Sequence, residues 1–263
     1  MRLPIERERL LAVLRGLGLL GVAERIAIAR DVEEAEEANA AFLASYEGPP
    51  LPSASLIRRT YGDAGLEDYR NWGRENAAEI EAALSRHVNL STAKVAEWGC
   101  GLGRLAMHLA PKTDYTGFDI DESSLAYCRA HLPGTYLRND PMPPLPAEDA
   151  SFDAVFAVSI FTHLSKAQHS AWAAEIRRVL KPGGVFLFTV HGEEQAGGLL
   201  PGERAAFDRG ELVTRGGVSR GSRTYLAYHP ETFVREVLLE GYEPVDGPEP
   251  CCGQTLYVGR KPY

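Results

Sequence analysis

Three glycines at alternate positions, Gly99, Gly101 and Gly103, follow the apolar run "KVAEW" (94–98) and lead through Arg104 into a helical pattern. Such a turn lets backbone N–H groups approach a ligand at a helix N-terminus. Dinucleotide-binding loops are glycine-rich too, but their spacing is G-x-G-x-x-G, whereas here it is G-x-G-x-G. Glu97, two residues before the first glycine, can meet a cationic amino group directly or through water. Sixteen residues after Gly103 a second apolar run ends in Asp119, where a carboxylate can accept both hydroxyls of a ribose. Asp140 follows a third run and can take a hydrogen bond from an exocyclic adenine amine. After a fourth run, "SIFTHL" (159–164) puts small and polar groups, Ser159 first, at the edge where open α/β sheets bind ligands.

Two histidines, His163 and His191, follow the fourth and fifth runs at the same edge, where either can serve as a proton acceptor near neutral pH. Both also suit ordinary packing ahead of a capped helix. No acidic cluster that would hold magnesium accompanies them, so metal-independent chemistry is expected. The stretch "TRGGVSRGSRTY" (214–225) gathers Arg215, Arg220 and Arg223 among small residues and reads either as a solvated basic loop or as a clamp for an anionic substrate. Asp121 reads as the N-cap of the helix opened by Glu122, Ser123 and Ser124, and Asp153 as an anchor where its strand begins. Cys100 is a small residue in a crowded turn.

These residues need a scaffold of strands in register, and the pattern supplies it. "KVAEW" (94–98), "YTGFD" (115–119), "TYLR" (135–138), "FDAVFAV" (152–158) and "VFLFTV" (185–190) read as strands, with helical patterns after the first, second and fourth. That alternation means a mostly parallel sheet with helices on both faces. Ser165 and Gln168 form a capping box for a helix whose apolar stripe is Trp172, Ile176, Val179 and Leu180, with "KPGG" (181–184) ending it. A last helix starts at Pro230, and "YEPVD" and "QTLYVG" pair as a terminal hairpin around a long turn.

Residues 1–60 form a helical extension with a Pro-rich linker, 61–263 the main domain, and 192–229 an insertion on the acceptor side. The extension reads as a lid, a homodimer surface, a carrier-docking face or a cover for the core's edge; Tyr61, Tyr69 and Trp72 beyond it read as an aromatic lid or as surface packing. With 28 basic against 36 acidic groups the net charge is −8, which disfavours nucleic acid and anionic bilayers as partners. The run at 10–23 is interrupted by Arg15 and lacks a basic leader, so no membrane span or signal is expected. Four cysteines without zinc-knuckle or redox spacing suit reduced thiols and a cytoplasmic protein.

Together, "EWGCGLGR" (97–104), "GFDID" (117–121), "ND" (139–140), "SFDAVFAVSIFTHL" (151–164) and "RVLKPGGVFLFTV" (178–190) resemble the class I S-adenosylmethionine-dependent methyltransferases, in their small-molecule branch. The resemblance implies a doubly wound, Rossmann-like sheet of seven strands with the last antiparallel, and S-adenosylmethionine as cofactor across the carboxyl ends of strands one to four. It implies that Glu97, Gly99, Cys100, Gly101 and Gly103 frame the methionine part, that Asp119 takes the ribose and Ile120 flanks the adenine, and that Asp140 and Ser159 complete the site. The "PMPPLP" stretch (141–146) departs from the family's usual helix there. The implied activity is methyl transfer to oxygen or nitrogen of a small or carrier-linked molecule. A non-catalytic S-adenosylmethionine-binding protein is the alternative, and NAD(P)-dependent oxidoreduction is disfavoured by the glycine spacing.

Overall fold

The structure, a computed structural model, describes residues 13, 14, 16–216 and 225–263. Helices α1 (Leu20–Ser45), α2 (Ala54–Tyr61) and α3 (Leu66–Ser85) precede β1 (Lys94–Trp98), α4 (Ala106–Leu109), β2 (Asp114–Asp119), α5 (Glu122–His131), β3 (Thr135–Arg138) and β4 (Phe152–Ala157). Then come α6 (Lys166–Val179), β5 (Leu180–Val190), α7 (Pro201–Asp208), β6 (Val213–Arg215), β7 (Leu226–Tyr228), a helical segment α8 (Glu231–Leu238), β8 (Glu243–Cys251) and β9 (Gln254–Arg260). Seven strands form one sheet in the order β3-β2-β1-β4-β5-β9-β8, parallel except for β9, which runs against both neighbours. β6 and β7 make a separate two-stranded sheet.

The central strands β1, β4 and β5 are buried on both faces because both faces are covered. Val95 and Phe156 point into the cluster under α3, α4 and α5, while Ala96, Val155 and Ala157 point into the one built with α6 and α8, around Trp172 and Phe186. Register places the functional edge: Trp98 pairs with Phe118 and Asp119 with Arg138, so β1, β2 and β3 finish level and their following loops meet. The Ser165–Gln168 capping box opens α6 as the sequence suggests. "KPGG" departs from expectation: the chain leaves α6 at Val179 and 181–184 already lie in β5, where Lys261 N–H bonds Gly184 and Gly183 N–H bonds Lys261. The terminal hairpin also turns more tightly than expected, since β8 extends to Cys251 and leaves two residues before Gln254.

The N-terminal helices lie against the glycine turn. Asn39 joins α1 to the start of α3, donating to the Ala64 carbonyl at 2.9 Å and accepting from Leu66 N–H at 2.8 Å. Arg58 of α2 pairs with Asp31 of α1 at 2.6 Å. Ile57, Leu66 and Tyr69 pack on Leu102, inside the glycine turn itself. Among the described residues no helix is long and apolar enough to cross a membrane.

Candidate functional site

The loop after β1 turns back over the end of β2. Gly99 and Gly101 adopt φ of 83° and 51°, and a Cβ at Gly99 would overlap the Ile160 side chain, so glycine is required there by conformation and by space. Gly101 N–H donates to Asp119 Oδ2 at 2.7 Å and Asp121 N–H to Asp119 Oδ1 at 2.8 Å. These two bonds aim the carboxylate across the loop and leave a lone pair on each oxygen for a ligand's hydroxyls. Burial raises the Asp119 pKa, and the backbone donors oppose that rise. Asp121 caps α5, accepting from Ser123 N–H, and is tied to α2 by Arg59 at 2.9 Å.

Glu97 is 3% exposed in the last turn of β1. Burial pushes its pKa up to about 8, opposed by the Tyr115 hydroxyl, which donates to Oε2, and by the Arg104 guanidinium. A carboxyl kept from water in this way is satisfied best by an incoming cation. Cys100 is buried, with its sulfur against the backbone of Gly117, while Gly103 packs on Cys128. Ile120 is 37% exposed beside Asp119. Asp140 is exposed at the end of β3, whereas its neighbour Asn139 is buried and its Oδ1 has no partner among the described residues. Asn139 is thus an acceptor that the sequence reading passed over; its signal was adjacency to Asp140. The "PMPPLP" loop forms no helix and is fastened to α6 through the Pro141 carbonyl, which accepts from Gln168 and Trp172.

Tyr61 closes the loop from the N-terminal side. A Cβ on Gly101 would lie 3.1 Å from its hydroxyl, and the Arg104 guanidinium sits 4.7 Å from its ring centroid. Tyr69 donates to the Leu102 carbonyl at 3.0 Å, while Trp72 is 42% exposed.

After β4 the chain passes through Ser159 at φ 62°, unusual for a non-glycine residue. Four bonds hold it. Its N–H donates to Thr189 Oγ1 at 2.9 Å, its hydroxyl meets Thr162 at 3.1 Å and accepts from Gln254 Nε2 at 2.8 Å, and Thr189 donates to Gln254 Oε1 at 2.7 Å. Ser159 therefore works as a junction of β4, β5 and β9.

The histidines gather beyond that junction. His163 Nδ1 lies 2.8 Å from the Tyr225 carbonyl, which assigns the proton to Nδ1 and the basic lone pair to Nε2. His191 is held neutral, its pKa lowered to about 4 by burial and then by the charge of a protonated His163. Two further histidines, absent from the sequence-based candidates, join them. His169 Nδ1 donates to the Ser165 carbonyl at 2.8 Å, so its Nε2 accepts from His229 Nε2–H at 2.9 Å. Burial lowers the pKa of both, and His229 Nδ1 and His191 Nδ1 are buried without a partner among the described residues. Nothing local marked His229; sixty residues separate it from His169.

Arg215 is 7% exposed and committed to its own surroundings: it binds Glu203 Oε1 and Oε2 at 3.0 and 2.7 Å, donates to the Gly198 carbonyl at 2.9 Å and lies over the Tyr228 ring. Arg220 and Arg223 lie outside the described residues.

Residues 95–184 match the family model described as a methyltransferase domain. Over 138 residues the chain is 34% identical to a probable S-adenosylmethionine-dependent methyltransferase of Mycolicibacterium smegmatis, covering 52% of each protein. It is 37% identical over 117 residues to a fatty-acid O-methyltransferase of the same organism (42% of each), and 38% over 112 residues to phthiotriol/phenolphthiotriol dimycocerosates methyltransferase 1 of Mycobacterium ulcerans (39% of each). The chain thus matches about half or less of the length of these relatives. Among solved structures, magnesium protoporphyrin IX methyltransferase from Synechocystis, with bound S-adenosylhomocysteine, superposes with a TM-score of 0.55 at 19% identity over 78% of this chain and 93% of that one. A Methanosarcina mazei methyltransferase gives 0.52 at 17% over 68% and 97%. The family model falls on β1 through the start of β5, so residues 95–184 are similar to a methyltransferase domain, and the fold is the one shared with S-adenosylmethionine-dependent methyltransferases.

Proposed function

We propose that the protein binds S-adenosylmethionine along the carboxyl edge of β1 to β4 and transfers its methyl group, without a metal ion, to oxygen or nitrogen of a small or carrier-linked molecule. The observation that carries the reading is the pair of acids at the ends of adjacent strands: Glu97 buried and undercompensated, Asp119 aimed by Gly101 and Asp121. The orphaned Asn139 Oδ1 fits the same ligand, because an exocyclic adenine amine supplies the donor it lacks. When bound, the cofactor supplies a methyl group already activated on a sulfonium. The chain's own work is alignment and exclusion of water. Asp119 takes the ribose hydroxyls and Glu97 the ammonium; the glycine backbone and Cys100 pass beneath the methionine part; Ile120 flanks the adenine, with Asp140 and Asn139 at its amine. Ser159 keeps the end of β4 in place. His163, its proton fixed on Nδ1, accepts the acceptor's proton at Nε2, and the neutral His191 lies next to it.

The 1–60 extension is proposed as a cover over the donor turn, a role supported by Ile57 and by Tyr61, the residue that follows the extension at the end of α2, and as the face for a homodimer, supported by the exposed Leu17, Leu19, Val22 and Ile26. The 192–229 segment is proposed as the acceptor-side insertion, with Arg220 and Arg223 as the anion-binding groups and Arg215 bracing it. The fatty-acid O-methyltransferase among the relatives supports an oxygen acceptor on a molecule with an apolar tail. Free thiols at all four cysteines suit a cytosolic setting.

Calorimetric titration with S-adenosylhomocysteine and with NADH is the first test. Binding of the former alone is expected; binding of NADH alone overturns the reading. Labelled methyl transfer to a panel of fatty acids, phenols and amines, with EDTA present, should then give product. Affinity for S-adenosylhomocysteine without turnover on any acceptor would favour a binding protein instead, and turnover restored only by magnesium would refute metal independence.

A further inference from the structure

We propose that Cys251, Cys252 and Glu79 form a binding site for one thiophilic divalent ion of the Zn2+ type, a site separate from the residues assigned to methyl transfer. The two thiols sit on consecutive residues at the tip of the β8–β9 hairpin. In regular strand geometry consecutive side chains point to opposite faces. Here Cys252 adopts φ 52°, which swings its sulfur back to within 3.6 Å of the Cys251 sulfur. That spacing matches a metal's bite: two bonds of about 2.3 Å at a tetrahedral angle separate their sulfurs by about 3.8 Å. It is far too long for a disulfide, whose sulfurs lie about 2.05 Å apart.

The third donor arrives from α3. Glu79 Oε2 accepts Cys252 N–H at 2.6 Å, which orients the carboxylate toward the turn, and one oxygen of it lies with both sulfurs inside a group whose ligand atoms are all within 4.8 Å of one another. Cys251 is buried, Cys252 half-buried and Glu79 exposed, so an ion reaches the group from solvent and keeps a water in its fourth position. Binding is acid–base chemistry without redox: each thiol gives its proton to solvent, the ion takes two thiolates and one carboxylate, and two protons are released per ion.

An ion here would tie α3 to the hairpin beside the functional edge. Gln254, two residues beyond Cys252, holds Ser159 at the end of β4, and Gly73 of α3 packs against Arg104 of the glycine turn. The site does not depend on the proposed methyl transfer, and its test reads the metal rather than the donor.

Protein with four reduced thiols, verified by thiol titration after unfolding, is titrated with Co2+. Expected are one ion per chain, a sulfur-to-cobalt charge-transfer band with the visible bands of tetrahedral Co2+, displacement of the cobalt by Zn2+, and release of two protons. Cys252→Ser should abolish the band, and Glu79→Gln, which keeps an acceptor for Cys252 N–H, should weaken binding by about tenfold or more. Circular dichroism of both metal-free variants should match the parent; if buried Cys251→Ser misfolds, these two still decide. No charge-transfer band in the reduced parent, a band that survives Cys252→Ser, or a Cys251–Cys252 disulfide that resists reduction would each overturn the site.

Discussion

Replacing Glu97 with Gln isolates one ionisation from the rest of the molecule. The side chain is 3% exposed and its pKa stands at about 8 against an ordinary 4.5, because burial outweighs the help of Tyr115 and Arg104. With the folded value raised, the native state holds a proton that the unfolded chain gives up above about pH 4.5. Its contribution is therefore favourable at low pH and lost as pH rises, by about 1.4 kcal/mol per unit, until the native carboxyl itself ionises near 8. The buried histidines act in the opposite direction: His169, His191 and His229 have lowered values, so they cost stability in acid and that cost ends as the unfolded histidines deprotonate near pH 6.5. Between pH 6.5 and 8 only the Glu97 slope remains of the two. Urea denaturation of ligand-free parent and Glu97→Gln should show the parent losing roughly 1–2 kcal/mol relative to the variant across that window. The amide still accepts from the Tyr115 hydroxyl, so packing is preserved. Binding of the ligand's ammonium group should expel the proton: affinity for S-adenosylhomocysteine should rise with pH up to about tenfold per unit below 8, with proton release in calorimetry that the variant lacks. Parallel denaturation profiles for the two proteins from pH 6.5 to 8 would refute the buried-carboxyl argument, whatever the ligand does.

Asp119→Ala removes the acceptor of two backbone N–H groups, so a loss of about 1–3 kcal/mol and a fall in melting temperature of roughly 2–10 °C are expected. Below that temperature, affinity for S-adenosylhomocysteine should drop about 30- to 1,000-fold, and unchanged affinity by calorimetry would remove Asp119 from the site. His163→Asn should lower kcat on a hydroxyl acceptor by about 100-fold or more with donor affinity unaltered; an undiminished kcat would end its role as base. Arg215→Ala removes the two-point ion pair with Glu203 and should cost about 1–3 kcal/mol in thermal or urea melts, whereas unaltered melting with a raised acceptor KM would return Arg215 to the substrate-binding groups.

The strand and turn signals that proved legible are those with local causes. "KVAEW" and "TYLR" become β1 and β3 residue for residue, because each is a short β-favouring run whose ends are marked locally. The capping role of Asp121 and the Ser165–Gln168 box are equally local. "KPGG" misleads for the opposite reason: it carries the residues of a helix stop, yet Lys261 and Gly183 pair across more than seventy residues and draw the segment into β5. The same division runs through the site. The positions of Glu97, Gly101 and Asp119 follow from a strand end and a turn, while the orphaned Asn139, the His169–His229 pair and the Glu203 that pairs with Arg215 depend on which distant side chain arrives.

Ser159 shows what that distinction means for function. A left-handed serine costs on the order of 1–3 kcal/mol, and it persists only where its surroundings over-determine it. Thr162, Thr189 and Gln254 do so from the short turn Phe161–His163 after β4, from β5 and from β9, three segments that meet only once the sheet is complete. The end of β4, where donor and acceptor would meet, is consequently held in place from β5 and from the antiparallel strand β9. A change at Gln254, 95 residues from Ser159 in the chain, therefore acts on the same few ångströms of backbone as a change at Ser159 itself.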